Sequence, residues 1–316
     1  MVVLGIDGGG SSTRAVLAGP DGAVLGRGAA GPSNPLSVGR EQTATAIHAA
    51  VTAAWMTARM DRRQAGAAVL GIAGLLGDEY RGMIHEVSQE LSLAAEVRVT
   101  HDLHVAHCGG LAGQPGVVLV AGTGSAAYAG DGKREGSIVG GKGALAGDSG
   151  SAYWVAHRAL RMAVRQLDGR ADRTALCDVV LEFLGVRDAE ELVVRLYSEQ
   201  PRAFELARLC PRIVRLAADD AAASGIITAA WQRLADMVRV AASRSALAEP
   251  AVVLSGGLAR AEGFRAGLQE AIVRAVPGAT FPERVLPPVG GAVLDALRLS
   301  GVTVTPEIMS RLSREF

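Results

Sequence analysis

An acidic residue near the start of the chain, Asp7, is followed at once by a run of small residues. The run holds three glycines and then three hydroxyl residues: Gly8, Gly9, Gly10, Ser11, Ser12 and Thr13. Backbone N–H groups in a tight loop can converge on an anion only where no Cβ blocks the approach, and glycine lacks that atom. We therefore expect this loop to bind phosphate groups. Asp7 is the expected ligand of a Mg²⁺ ion, held directly or through water, that offsets the phosphate charge.

A second loop of the same kind lies further along the chain. Residues 117–140 repeat the layout of residues 2–27: a strand, a loop of small residues, a strand, an Asp-Gly turn and a strand. The Asp-Gly pair at 131–132 takes the place of the pair at 21–22. The second loop is formed by Gly122, Thr123, Gly124 and Ser125. Two such loops facing one cleft suit a triphosphate, whereas a single glycine-rich hairpin is also compatible with a turn that has no ligand.

The residues around these loops exclude two common nucleotide motifs. No GxxxxGK[ST] pattern occurs, so neither loop is a P-loop. The first loop leads into an apolar strand rather than a helix, which excludes a dinucleotide-binding fingerprint. A third glycine pair, Gly256 and Gly257, follows the apolar segment 251–255. That pair is also compatible with a tight strand-to-helix connection that binds nothing.

The elements that must position these loops alternate between strand and helix patterns. In the first third we expect strands at 2–7, 13–18, 23–27, 67–72 and 96–100, and helices at 41–60 and 78–93. After the duplicated strands we expect helices at 151–167, over most of 171–247, at 260–275 and at 290–299, with a strand at 251–255. Two halves of the same layout predict two related α/β domains with a cleft between them.

Prolines and glycines mark the expected domain boundaries. A Pro-Gly pair at 115–116 and a Pro-Pro pair at 287–288 are where we expect the chain to cross between domains. The first domain is expected to comprise residues 1–113 and 288–301. The second is expected to comprise residues 114–287 with a helical insertion, and residues 302–316 are expected to form a peripheral tail.

The composition limits the classes of function. Lys plus Arg and Asp plus Glu both number 32, so the formal net charge is zero and nothing indicates a nucleic-acid partner. No apolar run is long enough to span a membrane, and no basic segment followed by an apolar one opens the chain. The cysteines Cys108, Cys177 and Cys210 are too widely spaced for a zinc ribbon or a disulfide framework. We expect a cytoplasmic protein without a membrane partner.

One acid, Asp102, is placed where proton transfer requires it, directly after the expected strand at 96–100. Phosphoryl transfer to a hydroxyl group needs a carboxylate that orients the hydroxyl and accepts its proton. The same residue would also suit the N-cap of the next helix. His101, His104 and His107 surround it, but residues i and i+6 lie on different sides of a helix. We therefore expect packed or capping histidines rather than a metal site.

Five segments together resemble one group of ATPases. They read GIDGGGSSTRAVL, THDLHVAH, VAGTGSAAY, GDSGSAYWVAH and LSGGLAR, and they extend over nearly the whole chain. The sequence resembles the N-acetylglucosamine kinase group in the BadF/BadG/BcrA/BcrD branch of the actin, hexokinase and Hsp70 ATPases. The resemblance implies a two-domain actin-like (ribonuclease H-like) α/β fold with an interdomain cleft. It also implies ATP and Mg²⁺, and transfer of the γ-phosphoryl group to the 6-hydroxyl of an amino sugar.

The resemblance further implies roles for individual residues. Asp102 takes the place of the catalytic base, and the pair Gly256-Gly257 matches the turn beside adenosine. The residues expected to contact the sugar are Asn34, Asp102, Thr123, Gly141, Lys142 and Asp148. On local sequence alone, Asn34 is also explained by turn chemistry and Asp148 by capping of the helix that starts near Ser151.

Two departures from the family pattern leave the acceptor open. Ser149 stands where the family usually has Glu, and Lys142 stands where it usually has Trp. A lysine between glycines is compatible with an anionic acceptor or with an ordinary exposed side chain. The candidate acceptors are N-acetylglucosamine, glucosamine and N-acetylmuramate.

Two other functions are compatible with the branch. The first is an ATPase that activates a radical dehydratase or reductase, with an iron–sulfur cluster held by cysteines at a subunit interface. The second is a sugar-sensing module that does not catalyse a reaction. The widely spaced cysteines argue against the first, and the intact glycine turns and Asp102 argue against the second. The family is often dimeric, so a homodimer is compatible with the resemblance, but the sequence leaves the oligomeric state open.

Overall fold

The computed structural model describes residues 1–131 and 136–316. It divides into two compact units, each with a β-sheet of its own. The first unit comprises residues 1–116, residues 283–316 and the described part of 130–136, and the second comprises residues 117–129 and 137–282. The second Asp-Gly turn expected from the sequence, at 131–132, lies partly outside the described residues.

Strands and helices alternate along the chain. The strands are β1 (Val3–Gly8), β2 (Thr13–Ala18), β3 (Val24–Ala30), β4 (Ala65–Ile72), β5 (Ala94–His101), β6 (Gly116–Ala121), β7 (Ser125–Gly130), β8 (Ser137–Gly140) and β9 (Val252–Ser255). The helices are α1 (Pro35–Thr57), α2 (Gly77–Glu90), α3 (Asp102–Gly110), α4 (Gly143–Ala146), α5 (Ala152–Leu167), α6 (Ala175–Leu184), α7 (Ala189–Glu199), α8 (Ala203–Ala207), α9 (Cys210–Leu216), α10 (Ala221–Arg244), α11 (Glu262–Ala275), α12 (Pro288–Leu299) and α13 (Pro306–Glu315).

The two sheets share a strand order, as the duplicated sequence pattern predicts. The first sheet has the order β3-β2-β1-β4-β5 and the second has the order β8-β7-β6-β9. In the first sheet β1 pairs antiparallel with β2 and parallel with β4, and β4 pairs parallel with β5. In the second sheet β6 pairs parallel with β9. Each unit therefore has a loop of small residues that joins two neighbouring strands, β1 and β2 in the first and β6 and β7 in the second.

Alternation along the strands gives the first sheet two separate apolar cores. On one face, residues such as Leu4 pack against helices α1 and α2. On the other face, residues such as Val3 and Val16 pack against α12. Glycine is required where α12 crosses the sheet, because a Cβ on Gly5 would lie 2.5 Å from the backbone nitrogen of Val293. Helix α12 is therefore an integral part of the first core.

Helix α1 begins at Pro35, before the expected start at residue 41, because Asn34 caps its N-terminus and proline favours the first helical position. Gly39 has a φ of 76° and interrupts the regular helix. Residues 302–316, expected to be a tail, contain helix α13, whose Leu312 is fully buried.

The second core is built around the long helix α10, whose Ile227 and Leu234 are fully or almost fully buried. It also contains Val117 and Leu119 of β6 and the helices α5 and α6. No helix among the described residues is both long enough and apolar enough to cross a membrane.

Candidate functional site

The parallel strands of the first sheet end together at one edge. Gly8 lies opposite Ile72, and Ile72 lies opposite His101. Asp7 therefore stands one residue before this edge and Asp102 one residue beyond it. Ligands of open α/β sheets bind outside the carboxyl ends of the parallel strands. The strand register thus brings together the two acids that the sequence singled out.

Asp102 is the first residue of α3. The N-cap position of α3 is held by His101. Asp102 is therefore the first helical residue and not the N-cap that the sequence also allowed. Its Oδ1 accepts a hydrogen bond of 3.0 Å from the N–H of Leu103. Burial raises the pKa of Asp102 to about 6, although the backbone hydrogen bonds act in the opposite direction. A carboxyl group with this pKa is ionised at neutral pH and is well suited to accept a proton.

Asp7 is electrostatically coupled to Asp102. Burial and, to a smaller extent, the charge of Asp102 raise the pKa of Asp7 to about 6, whereas the charge of Arg14 acts to lower it. Arg14 lies directly opposite Asp7 in the β1–β2 pair, so both side chains project from the same face of the sheet. Two carboxylates that repel each other in a partly buried position are oxygen donors suited to a hard divalent cation.

The tip of the loop between β1 and β2 is open. The N–H of Gly9 donates to the carbonyl oxygen of Ser12 at 2.9 Å, and the N–H of Ser33 donates to the carbonyl oxygen of Gly9 at 3.1 Å. Gly10 and Ser11 are exposed. No described atom beyond the adjacent residues lies within 4 Å of the position that a Cβ on Gly10 would take. The tip therefore has room for a ligand against bare backbone.

The two ends of this loop, Gly8 and Thr13, are buried and pack against other residues of the protein. A Cβ on Gly8 would lie 2.3 Å from Ser33 Oγ. The hydroxyl oxygen of Thr13 lies 2.7 Å from the carbonyl oxygen of Gly31 and 2.8 Å from Ser33 Oγ. Of the residues expected to bind phosphate, the stretch 9–12 is the accessible part, and Thr13 has its hydroxyl engaged by protein.

Asn34 occupies the N-cap of α1, so the turn chemistry considered from the sequence is present. Its Oδ1 accepts a hydrogen bond of 3.0 Å from the N–H of Leu36. Gly74 makes room for this side chain, because a Cβ on Gly74 would lie 2.1 Å from the same Oδ1. Since Oδ1 serves the cap, the side-chain NH₂ group is the donor that Asn34 has left for other partners.

In the second unit, the loop between β6 and β7 is held against Asp148. The N–H of Ser125 donates to Asp148 Oδ1 at 3.3 Å. A Cβ on Gly124 would lie 2.8 Å from Asp148 Oδ2. Burial raises the pKa of Asp148, and the bond from Ser125 acts to lower it. The expected loop and the expected acid therefore form one local structure.

Asp148 does not cap helix α5. That helix is capped by Ser151, whose Oγ accepts a hydrogen bond of 3.1 Å from the N–H of Trp154. Asp148 has a φ of 52°, in the left-handed region that costs a residue with a Cβ about 1–3 kcal/mol. The carbonyl oxygen of Thr123 accepts a bond of 3.3 Å from the N–H of Tyr153. Asp148 thus has a strained backbone beside the glycine loop, and functional sites often retain such strain.

Gly141 and Lys142 lie in a segment that returns to the same loop. The N–H of Gly141 donates to the carbonyl oxygen of Ser125 at 2.9 Å. Lys142 is exposed, and Leu145, three residues further on, is 99% exposed. The lysine is thus a solvated side chain in this structure, and an anionic acceptor facing it stays a prediction.

The Gly256-Gly257 turn packs on the end of β6. Gly256 has a φ of 88°, and a Cβ there would lie 2.3 Å from the carbonyl oxygen of Ala121. The same carbonyl accepts hydrogen bonds of 3.0 Å and 3.1 Å from the N–H groups of Leu258 and Ala259. Gly257, by contrast, has no described atom within 4 Å of its Cβ position apart from its neighbours. The fold requires the first glycine, and the second borders open space.

That space belongs to a cavity of about 820 Å³ within the second unit. Thr123 and Gly257 place both glycine turns on its wall. The rest of the wall includes Phe204, Arg208, Cys210, Pro211, Val214, Arg215, Ser224, Ile227 and Trp231. Sequence reasoning missed these residues, because their apolar pattern is the ordinary pattern of a helix that packs on a core.

Among the described residues of that wall, Trp231 has a buried side-chain polar atom without a partner. Its Nε1 is buried and has no hydrogen-bond partner within the described residues. A buried donor without a partner costs about 1–3 kcal/mol. The cavity has the size and the largely apolar lining of a small-molecule site.

The three histidines near Asp102 do not converge on one point. His107 Nε2 donates to the carbonyl oxygen of Gly116 at 3.2 Å, and burial lowers the pKa of His107 to about 4. His107 is therefore neutral at physiological pH. His101, as described above, holds the N-cap position of α3.

His104 instead belongs to a buried network with Cys108 and Asp295. His104 Nε2 lies 3.3 Å from an Asp295 oxygen and 3.4 Å from Cys108 Sγ. Arg98 donates to the other Asp295 oxygen at 2.8 Å. These contacts lower the pKa of Asp295 although its burial acts to raise it. The three residues are of metal-ligating types, but the carboxylate already has two donors, and the network ties α3 to α12.

One protein-family model matches most of the chain. The model of the BadF/BadG/BcrA/BcrD ATPase family matches residues 4–297. The chain belongs to this family. The family membership and the two-unit α/β fold that the sequence predicted are thereby confirmed.

Members of curated function are similar over about two thirds of their length. The chain is 28% identical over 207 residues to the N-acetylmuramic acid/N-acetylglucosamine kinase of Clostridium acetobutylicum, covering 66% of this chain and 68% of that protein. It is 28% identical to the N-acetyl-D-glucosamine kinase of Dictyostelium discoideum, and the match covers 70% of this chain and 76% of that protein. It is also 28% identical to glucosamine kinase GspK of Vibrio cholerae, and the match covers 64% of this chain and 67% of that protein.

Solved structures of other proteins match almost the whole chain. A protein from Chromobacterium violaceum, described as a candidate N-acetylglucosamine kinase, is 27% identical with a TM-score of 0.72 and covers 93% of this chain and 98% of its own. A ROK family glucokinase from Streptomyces griseus has a TM-score of 0.55 at 18% identity, and the match covers 94% of this chain and 98% of that chain. This likeness supports the fold alone.

Proposed function

We propose that this BadF-type ATPase is an amino-sugar kinase that transfers the γ-phosphoryl group of ATP to the 6-hydroxyl of N-acetylglucosamine or a related hexosamine. The observation that carries the proposal is the edge of the first sheet, where Asp102 with its raised pKa lies beside Asp7 and the open tip of the glycine loop. Similar proteins named as kinases of three amino sugars support it.

In the proposed reaction the acceptor hydroxyl attacks the γ-phosphorus. A bond forms between the sugar oxygen and phosphorus, the bond from phosphorus to the bridging oxygen breaks, and its electron pair leaves with ADP. Asp102 takes the hydroxyl proton. The raised pKa of this carboxyl group, about 6, favours that transfer more than an ordinary aspartate would.

The residues of the first unit fit a metal–phosphate group. The exposed tip at residues 9–12 offers bare backbone, and Asp7 offers carboxylate oxygens of the type that Mg²⁺ prefers. A bound Mg²⁺ would offset phosphate charge. The protein supplies the other contributions: the loop binds, Asp102 orients the hydroxyl and holds its proton, and Asn34 is the proposed donor to the sugar.

The residues of the second unit fit a nucleoside. The cavity of about 820 Å³ has bare backbone at Gly257 and the aromatic residue Trp231 on its wall. We propose that the base and ribose bind in this cavity. The cytoplasm, where ATP is abundant, is the proposed location.

The acceptor is N-acetylglucosamine in our proposal, because that sugar is named for two of the curated relatives. The test is ATP consumption with N-acetylglucosamine, glucosamine and N-acetylmuramate, followed by NMR assignment of the phosphorylated carbon. Phosphorylation at a position other than the 6-hydroxyl, or no consumption with any of the three sugars, would refute the proposal.

The alternative of a dehydratase activator has no comparable support. All three cysteines are buried, and the pKa of Cys210 is raised to about 12 by burial. Thiolates that hold an iron–sulfur cluster at an interface must be ionised and accessible. Iron in the purified protein would favour this alternative, and its absence is the expected result.

A further inference from the structure

Arg14 directly follows the proposed phosphate loop, and the residues assigned a role so far do not include it. It follows Thr13 at the start of β2 and lies directly opposite Asp7. Opposed residues of an antiparallel pair have Cβ atoms about 4.5–5.5 Å apart and share a face. The Arg14 side chain therefore begins beside the proposed metal ligand.

The guanidinium of Arg14 is not engaged by the protein. Within residues 1–131 and 136–316 no ion pair or hydrogen bond of its side chain is found, and the residue is exposed. Three other arginines of the first unit form ion pairs: Arg27 with Glu315, Arg40 with Glu90 and Arg98 with Asp295. Arg14 still acts on the charge of Asp7. Arg14 therefore lies close to Asp7, and the N–H donors of its side chain are available to a ligand.

The charges at this edge require such a cation. Asp7 and Asp102 repel each other, and a phosphoryl group brought beside them would be repelled by both. A guanidinium group presents several N–H donors in a plane that matches phosphate oxygens, and its charge does not depend on pH in the physiological range. A single arginine at a transferring phosphoryl group typically contributes far more to turnover than to ground-state binding.

We propose that Arg14 binds the oxygens of the γ-phosphoryl group and stays with that group during transfer. The proposal rests on the proposed kinase function, but its first test does not depend on turnover. Arg14 would contact ATP at the γ-phosphate and would have no contact with ADP. Loss of the side chain should therefore remove the ability to distinguish the two nucleotides.

The experiment measures binding of ADP and of a non-hydrolysable ATP analogue, both with Mg²⁺ and without sugar, by isothermal titration calorimetry. In Arg14→Gln we expect analogue affinity to fall about 10- to 100-fold, as for loss of a charged hydrogen-bond donor, with ADP affinity changed less than about two-fold. Arg14→Lys should recover part of the loss, because it restores the charge without the planar donors. Arg63→Gln, at another exposed arginine of the first unit, is the matched control and should match the wild type.

The outcomes separate this inference from the function on which it rests. Equal losses for ADP and the analogue in Arg14→Gln, or no loss for either, would overturn the role of Arg14 while a wild-type kinase activity stood. A wild-type protein that bound neither nucleotide would overturn both. A kcat that falls in Arg14→Gln with an unchanged sugar KM would support contact with the phosphoryl group rather than with the acceptor.

Discussion

Asp102 is the residue on which the proposed chemistry depends most directly. In Asp102→Asn the side chain keeps its shape but cannot accept the hydroxyl proton, so we expect kcat to fall about 10²- to 10⁴-fold with little change in sugar or nucleotide affinity. Steady-state kinetics with N-acetylglucosamine measure this. Asp78→Asn, at an exposed acid in the first turn of α2, is the control and should retain full activity. Near-normal turnover in Asp102→Asn would exclude the residue as the base.

The raised pKa values predict opposite pH dependences for activity and stability. Asp102 and Asp7 must be ionised to act, so kcat/KM should fall on acidification with an apparent pKa near 6 for the coupled pair. Both groups hold protons more tightly when folded than when unfolded. Their contribution to stability is therefore fully present below about pH 4 and is lost as pH rises through about 6.

The same argument predicts that removing a buried charge stabilises the protein. Asp102→Asn should resist urea better than the wild type at pH 7, by about 1–3 kcal/mol, and this advantage should disappear near pH 4. Urea denaturation at the two pH values measures the difference. A variant less stable than the wild type at pH 7 would show that burial of the Asp102 charge is not unfavourable.

Lys142 tests whether the acceptor carries a negative charge. In Lys142→Met we expect small and equal changes of kcat/KM for neutral and anionic amino sugars, because the side chain is exposed in the structure. The assay compares N-acetylglucosamine with N-acetylmuramate. A loss of about ten-fold or more confined to N-acetylmuramate would instead assign Lys142 to the recognition of an anionic acceptor.

At the scale of elements, the connection from β4 to α2 supports the cap of α1. Gly74 and Gly77 have the same φ of 79°, but only Gly74 lies against Asn34. Gly74→Ala and Gly77→Ala should share the cost of a strained backbone. Gly74→Ala should lose about 1 kcal/mol more, because it also displaces the Asn34 cap.

The comparison of these two variants also tests the sugar role of Asn34. If Asn34 donates to the sugar, KM for the sugar should rise in Gly74→Ala and stay unchanged in Gly77→Ala. Chemical denaturation and sugar kinetics on the same preparations give both quantities. Equal KM values in the two variants would leave Asn34 with the cap as its only role.

Sequence patterns predicted those elements whose signals are local. The strand at 13–18 and the loop of small residues are found where the alternation and the glycines placed them. The early start of α1 was missed because its signal, Asn34 followed by Pro35, was interpreted as a turn, and both interpretations use the same residues. Helix α13 was missed because a short amphipathic segment gains its stability from burial of Leu312, which no local pattern reports.

The candidate site could likewise be predicted only where its signals are local in the sequence. Asp7 and Asp102 are found at one sheet edge because strand ends can be inferred from the sequence and parallel strands end together. The contact of Asp148 with Gly124 and the wall formed by Phe204 and Trp231 depend on packing between distant segments. Such packing has no signature within one segment, so the sequence predicted the acids and turns but not the cavity.

At the scale of the whole molecule, nucleotide binding should be visible as stabilisation. ADP that binds only the folded protein raises the melting temperature as its concentration exceeds Kd. Gly257→Val places a Cβ where no atom of the described residues, apart from the adjacent ones, lies within 4 Å, so we expect unchanged stability but loss of the ADP-dependent shift. Differential scanning fluorimetry with and without ADP measures both.

The neighbouring glycine provides the contrast for this experiment. Gly256→Val meets the Ala121 carbonyl at 2.3 Å and should lower the melting temperature even without ADP. An undiminished ADP shift in Gly257→Val would place the nucleoside outside the cavity.

The place of α12 in the chain has a consequence for biosynthesis. The first sheet is made early, yet the face that carries Val3 and Val16 is covered by residues 288–297, which are made near the end. The second unit, residues 117–129 and 137–282, is complete before them. On the ribosome the second unit can therefore fold while half of the first sheet is still uncovered, and the time until residue 297 emerges is the period in which the nascent chain most needs a chaperone.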